Sequence, residues 1–350
     1  MDRKLSQRIG LFFVNIIVTV LLAAGSSDSA DSREERRIAQ LIEGAKKESR
    51  MVLYSTQTQS QSMELLSTFE KRYPFIKTSL YRAGTGRLLP KIITEHQTGR
   101  YEADVIQIGG FEAQVFKEKG LAARYMSPEA AFFPDGFKDP DGFWCDVFVN
   151  VGVMAYNKKL VSRQDAPKSY QDLFDPKWKG RISIDQEDAE WFGNMLEIFG
   201  KESGLKFMKR LGEQELIPRR GRRLQAQLLG AGEFPIAMNL YISSVAELVL
   251  QGAPIEPVAA EPLIAKLHPV FLAARAPHPN AAKLYLDFVL SEEGQRVIAK
   301  TEIPSRKGIF SANPIVKKIQ AMKLNPSDPR LGKHYAEYRS LFEEIVLRKR

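Results

Sequence analysis

The chain has 350 residues, 44% of them hydrophobic, with one cysteine and a formal net charge of +9. That apolar fraction excludes a disordered chain, and a single thiol excludes an internal disulfide, so the fold rests on its core. The length exceeds what one core usually organises, so two lobes are expected.

Residues 1–26 read as a secretory signal peptide. Arg3, Lys4 and Arg8 form a basic start, Ile9 to Ala24 an apolar run, and Ala23 to Ser27 a small-residue cleavage region. The run is shorter than the roughly 20 residues of a spanning helix, although an uncleaved anchor stays open. Residues 31–49 follow as an amphipathic helix, with Ile38, Leu41, Ile42 and Ala45 at helical spacing. Met51 to Ser55 is a buried strand, Thr56 to Ser60 a polar loop, and Ser62 to Arg72 a helix ended by Pro74. A strand over Ile76 to Tyr81, a loop at Gly84-Thr85-Gly86, and a helix over Leu88 to His96 come next. Asp104 to Ile108 is a third strand, ending in Gly109-Gly110. This alternation predicts an α/β protein with a mainly parallel sheet, whose ligands sit at the carboxyl ends of strands. Cys145 is expected as a small buried residue beside Trp144. Further on, Pro279 stops an extended segment and Asn280 can cap a helix that buries Ala281, Leu284, Tyr285, Phe288 and Val289. Ser291 can cap the next helix.

The run from Ala276 to Gln295, closed by Ile303-Pro304-Ser305-Arg306-Lys307-Gly308, closely resembles the C-terminal helices of solute-binding proteins of ABC importers. The iron(III)-binding branch is the nearest resemblance. Val52-Leu53-Tyr54-Ser55, Phe69 to Pro74, Tyr81-Arg82-Ala83-Gly84 and Asp104-Val105-Ile106 resemble that family's first lobe. Phe148 to Asn157 resembles its crossing strand, and Leu173 to Ile182 its entry into the second lobe. The resemblance implies a two-lobed type II periplasmic-binding-protein-like fold with a hinge of crossing segments. Lobe 1 would hold residues 50–149 and 270–350, and lobe 2 residues 152–265. It also implies a periplasmic monomer that captures a small ligand without chemistry and delivers it to a membrane permease. No cofactor and no nucleic acid is expected. For an exported protein the basic charge suits an anionic ligand or envelope, or is a solvated surface without a specific partner.

Strand-end loops supply the first candidate ligand residues: Thr56 and Gln57, then Arg82 and Thr85, then Gly109 and Gly110. Small residues let backbone amides approach a ligand, helix N-termini favour anions, and arginine pairs with carboxylate or phosphate. Arg82 serves equally as a salt-bridge residue, and the glycines as a tight turn. Asp185 to Trp191 places four carboxylates beside an indole. They suit a cationic ligand, or Asp188 caps a helix while Glu187 and Glu190 face solvent; Trp191 is the candidate there. Arg219-Arg220-Gly221-Arg222-Arg223 is either an anion clamp, with Arg222 as the candidate, or a solvated face. Gly232 to Tyr241 resembles the family's approach to its binding tyrosines, which in iron(III) relatives are two adjacent phenols. Here the pair is Leu240 and Tyr241, so one phenol remains, with Asn239 beside it. His96, His268, His278 and His334 are scattered without ligand spacing, and no metal ligand is assigned. No GxSxG, HExxH or GxxxxGK[ST] motif is present. An organic anion is the favoured ligand and iron(III) the second. A periplasmic enzyme or a ligand-sensing subunit on the same scaffold stays open.

Overall fold

A computed structural model describes residues 32–348, so the signal-peptide reading lies outside the described residues. The first lobe opens with helix α1 (residues 32–48) and strand β1 (Arg50–Ser55). Helix α2 (Gln59–Arg72), β2 (Lys77–Arg82), α3 (Thr85–Gln97), β3 (Val105–Gln107), α4 (Gly110–Glu118) and β4 (Ala122–Ala123) follow. β1 lies parallel to both β2 and β3, as the strand–helix alternation predicts. The observed helices start about three residues earlier than hydrophobic spacing suggests, because their first turns are polar loops tightened into helix.

β5 (Cys145–Asn157) carries the chain out of this lobe, and only Asn150 among its residues is not buried. A strand covered on both faces needs apolar side chains throughout, which Val147, Phe148, Val149, Val151, Val153 and Met154 supply. The second lobe contains β6 (Ile182–Asp185), α5 (Ala189–Phe199), α6 (Lys201–Gly212) and β7 (Ile217–Arg219). It continues through α7 (Arg222–Ala231), β8 (Ile236–Tyr241), α8 (Ile242–Leu250) and β9 (Ile255–Val258). β10 (Leu263–Ala273) then returns antiparallel to the first half of β5 and on to β3. The second half of β5 pairs instead with β8 and β9. One strand thus serves two sheets, and with β10 it forms the hinge of crossing segments between the lobes.

α9 (Pro279–Leu290) and α10 (Glu292–Ile298) pack on lobe 1, burying the five residues predicted to face its core. Ser291 caps α10, its Oγ accepting the Gly294 amide at 3.3 Å. The start of α9 differs from expectation. Pro279 ends the extended segment and already occupies the first position of the helix, where a missing N–H costs nothing. Asn280 is therefore inside the helix, and the cap is external. Glu48 at the end of α1 accepts the amides of Asn280, at 3.0 and 3.1 Å, and of Ala281, at 2.8 Å.

After β11 (Ile303–Pro304), α11 (Pro314–Gln320) and β12 (Leu324–Pro326), the chain does not stay on lobe 1. Residues 329–334 pack on α4, but α12 (Tyr335–Leu341) packs on α5, and the π-helical turn Phe342–Val346 on α6. The reason is apolar: Phe342 and Val346 are buried in the lobe 2 core. Gly193 and Gly212 leave room for this segment, lying against the Tyr338 ring and the Ile345 carbonyl.

Candidate functional site

The floor of the inter-lobe cleft is built where the strands of lobe 2 end. Gly221, at φ 92°, turns the chain from β7 into α7 and donates its amide to Asp185 Oδ2 at 3.1 Å. The next side chain, Arg222, therefore points inward. It forms an ion pair with the fully buried Asp188, and its Nε donates to the Asn239 carbonyl at 3.1 Å. Its guanidinium carbon lies 4.6 Å from the centroid of the Tyr241 ring. Burial pushes the Asp188 carboxyl up while the Arg222 guanidinium pulls it down. The other three arginines of the run are solvated: Arg219 pairs with Glu233, Arg220 with Glu187 and Arg223 with Glu247.

Asn239 adopts φ 54°, a left-handed conformation that asparagine tolerates. Its Oδ1 presses on the Cα of Gly152 in the facing strand, where any Cβ would overlap it. Leu240 is buried in the core, whereas Tyr241 sits at the N-cap of α8. Trp191 is buried, and its Nε1 has no hydrogen-bond partner. Lys266 of β10 pairs with Glu190 at 2.6 Å, and Glu190 also accepts Ser327 Oγ at 2.8 Å. Burial alone would raise the Glu190 carboxyl, but the Lys266 ammonium brings it below its usual range. Burial and the same ammonium push His268 down to about 3, so it is a neutral ring, stacked 4.3 Å from Phe148. Gly152, Trp191, Arg222, Asn239, Tyr241 and Lys266 line one small cavity.

Two expectations are corrected here. Asp188 occupies the N-cap position of α5 but makes no side-chain cap bond, because Arg222 takes its carboxylate. Glu190 does not face solvent, because Lys266 and Ser327 satisfy it in the interior.

The remaining candidates stand on the strand-end loops of lobe 1, and none of them lines that cavity. The Thr56 amide donates to the Gln107 carbonyl at 3.1 Å, and the Gln57 amide to Ser55 Oγ at 3.0 Å. Gln57 is buried, with its Oε1 lacking a partner. Arg82 Nε donates to the Gln57 carbonyl at 3.2 Å, holding the two loops together while its terminal nitrogens stay unpaired. Thr85 begins α3, whose N-cap Gly84 offers no side-chain acceptor, while the Gly84 carbonyl accepts the Arg87 and Leu88 amides at 2.9 and 3.0 Å. Gly109 and Gly110 are arranged differently. The Glu112 carboxylate folds back over Gly109, and Gly110 is packed against Leu267 and Pro329. Both glycines are accounted for by packing at the start of α4.

A partly buried carboxyl of lobe 1 lies at a residue that local sequence does not single out. Glu302, just before β11, accepts Gln61 Nε2 of α2 at 2.9 Å with its Oε1. Its Oε2 is buried without a hydrogen-bond partner among the described residues. Burial is the larger influence and raises the carboxyl to about 7. Lys266, Glu190, Asp188, Glu302 and Gln61 thus join the predicted residues. Only the acidic run near Trp191 gave any sequence signal for them.

The charged side chains of the cleft floor are committed to ion pairs, Arg222 with Asp188 and Lys266 with Glu190. Residues 103–325 match the family of bacterial extracellular solute-binding proteins. The chain belongs to that family. Iron uptake protein A1 of Synechocystis sp. is 23% identical over 88% of each chain. Iron-bound HitA of Pseudomonas aeruginosa superposes with a TM-score of 0.72 at 22% identity, covering 85% of this chain and 99% of that one. AfuA of Actinobacillus pleuropneumoniae, solved with fructose-6-phosphate, gives a TM-score of 0.70 at 24% identity, covering 85% and 98%. The two-lobed type II periplasmic-binding fold is shared with the two solved structures.

Proposed function

We propose that this solute-binding protein captures a small organic anion (a carboxylate, phosphonate or phosphate ester) in the inter-lobe cleft, acting as a periplasmic monomer that hands it to an ABC permease. One observation carries the ligand class. Arg82 is held by its Nε against the first loop, its terminal nitrogens have no hydrogen-bond partner among the described residues, and α3 begins three residues further on without a side-chain cap. A guanidinium fork and a helix N-terminus are matched to an oxyanion. The remaining inner charges offer no comparable opening, since Arg222 and Lys266 are already neutralised by Asp188 and Glu190. The likeness to AfuA, whose structure holds a sugar phosphate, supports the same reading.

Iron(III) with an accompanying anion is the second reading, favoured by Tyr241 at the cleft and by the iron-uptake relative. Against it stands Leu240, buried where a second phenol would be needed. Calorimetric titration with phosphate esters, phosphonates, carboxylates and iron(III) citrate separates the two. An organic anion should bind and be recovered unchanged, and Arg82→Ala should weaken it by roughly 1.5–3 kcal/mol, the worth of a charged hydrogen bond. Tight iron(III) binding with no response to organic anions would overturn the reading, and turnover of the anion would replace capture by catalysis.

A further inference from the structure

Residues 305–323 carry five cations and no carboxylate. They span the loop after β11, helix α11 and the turn behind it, and none of them lines the cavity of the cleft floor. Gln320 of α11 fixes the loop. Its Nε2 donates to the carbonyls of Ile309 and Pro304 at 2.9 and 3.3 Å, and its Oε1 accepts the Ser311 amide at 2.9 Å. Gly308, at φ 80°, turns the chain so that Ile309 is buried and Phe310 stays outside. Phe310 is 47% exposed and Phe132 52%, and no other phenylalanine among the described residues is exposed. Lys307 donates its amide to the Phe132 carbonyl at 3.1 Å, and the Arg306 guanidinium carbon lies 4.0 Å from the Phe132 ring centroid. Three residues beyond Lys307, a span of at most about 11 Å, the Phe310 ring centroid lies 5.5 Å from the Lys317 ammonium. The two rings and the lysines thus share one surface. We propose that this platform docks on an anionic lipid bilayer, with Phe132 and Phe310 entering the headgroup region while Lys307, Lys317 and Lys318 face anionic headgroups.

Charge and apolarity point to the same occupant. Glu129 pairs with Arg306 at 2.6 Å, but Lys307, Lys317 and Lys318 are exposed and no carboxylate pairs with them among the described residues. Asp135 is the only exposed acid in residues 128–135, so the three lysines outnumber it. An acidic protein surface would satisfy the lysines and leave two phenyl rings in water. An apolar protein face would cover the rings and strand the lysines around it. A bilayer interface offers both at once, acyl chains beneath the rings and anionic headgroups at the height of the ammonium groups. Two rings and three cations give reversible adsorption, far short of the anchoring that a spanning helix provides. Such adsorption would keep the protein at a membrane surface without fixing it there.

The inference does not depend on which ligand the cleft takes. The test is flotation of the full chain with vesicles of phosphatidylcholine alone, and of phosphatidylcholine with one-third phosphatidylglycerol, at low and at high salt. The N-terminal apolar run adds lipid binding of its own, so parent and variants are compared with that run in common. The parent should float with the anionic vesicles, and more at low salt than at high, as surface charges require. Lys317→Glu with Lys318→Glu should lower that partition by at least about tenfold, since each lysine near an anionic surface is worth about a fivefold change. Phe132→Ser with Phe310→Ser should lower it at both salt concentrations. All four side chains are exposed, so thermal melts of both double variants should stay close to that of the parent. Equal partition of the parent to the two vesicle types, or an unchanged affinity in either double variant, would overturn the bilayer. Release by inorganic phosphate at constant ionic strength would assign the lysines to a free anion and overturn it as well.

Discussion

The side-chain oxygen of Asn239 occupies the space that a Cβ would take at Gly152, on the strand that crosses between the lobes. Asn239 is also the residue whose carbonyl receives Arg222, so the contact sets the shape of the cleft floor. Gly152→Ala should push Asn239 aside and misplace Arg222 and Tyr241. The expected result is a stability loss of about 1–3 kcal/mol from overpacking, read by urea unfolding. Ligand affinity should fall at least tenfold by calorimetry, which a purely structural glycine elsewhere would not cause.

Arg222 and Asp188 form the buried ion pair of the floor, with Asp188 fully enclosed. Arg222→Ala should cost about 3–5 kcal/mol, because it leaves a carboxylate buried without its partner. Adding Asp188→Leu to that variant should restore most of the stability. A double-mutant cycle in which the two losses simply add would show that the pair is not coupled.

Lys266 offsets two acids, Glu190 of lobe 2 and Glu112 of lobe 1, and its removal should reverse the pH dependence of stability. In the parent, Glu190 sits below its ordinary value, so its contribution is present above about pH 4.5 and is lost on stronger acidification. In Lys266→Met both acids are buried without a cation and their pKa values rise. Stability should then be lowest at neutral pH and increase as pH falls through those raised values. Thermal melts at pH 5 and pH 8 check the sign.

Glu48 caps a helix whose first residues lie 232 positions away in the chain. Glu48→Ala should cost roughly 1–2 kcal/mol, the loss of a helix cap made by a charged acceptor. Ligand affinity should be unchanged, since α9 packs behind lobe 1.

Tyr241→Phe should weaken an organic anion by about 0.5–3 kcal/mol, according to how charged and buried the lost hydrogen bond is. Adding iron(III) citrate to the parent should give no visible phenolate-to-iron band. A band that appears in the parent and vanishes in Tyr241→Phe would establish the iron reading instead.

What could be read ahead of the structure followed local rules. The strands of lobe 1, the buried face of α9 and the Ser291 cap are each set by residues within a few positions of one another. The crossing strand was legible through the family resemblance of Phe148 to Asn157, and its burial on both faces is in keeping with the apolar residues there. Failures came where distant charges met. Glu190 read as solvent-facing because an isolated glutamate usually is, and nothing near it in the chain announces Lys266, 76 residues later, as its partner. Asp188 read as a helix cap because that is its local option, and Arg222 offered a stronger one. Glu302 is polar, between two ordinary helix and strand signals, and became notable only when Gln61 of the distant α2 was found on its carboxylate. The arginine run shows both outcomes at once: three members are solvated, and the one after the Gly221 turn is buried.

The path of the C-terminal residues restricts how the molecule can bend. The chain passes between the lobes three times, along β5, along β10, and again beyond β11 on its way to α5 and α6. Two adjacent strands alone would act as a ribbon, free to twist as well as to fold. The third passage is anchored at both ends: Ser327 is tied to Ala265 by its amide and to Glu190 and Asn194 by its hydroxyl, while Leu331 is buried on the side of α4. Twisting the lobes would shear those bonds, whereas nodding about a line through the three passages leaves them intact. The C-terminal residues thereby join β10, α5 and α4 through one short segment, a third strut beside the two crossing strands.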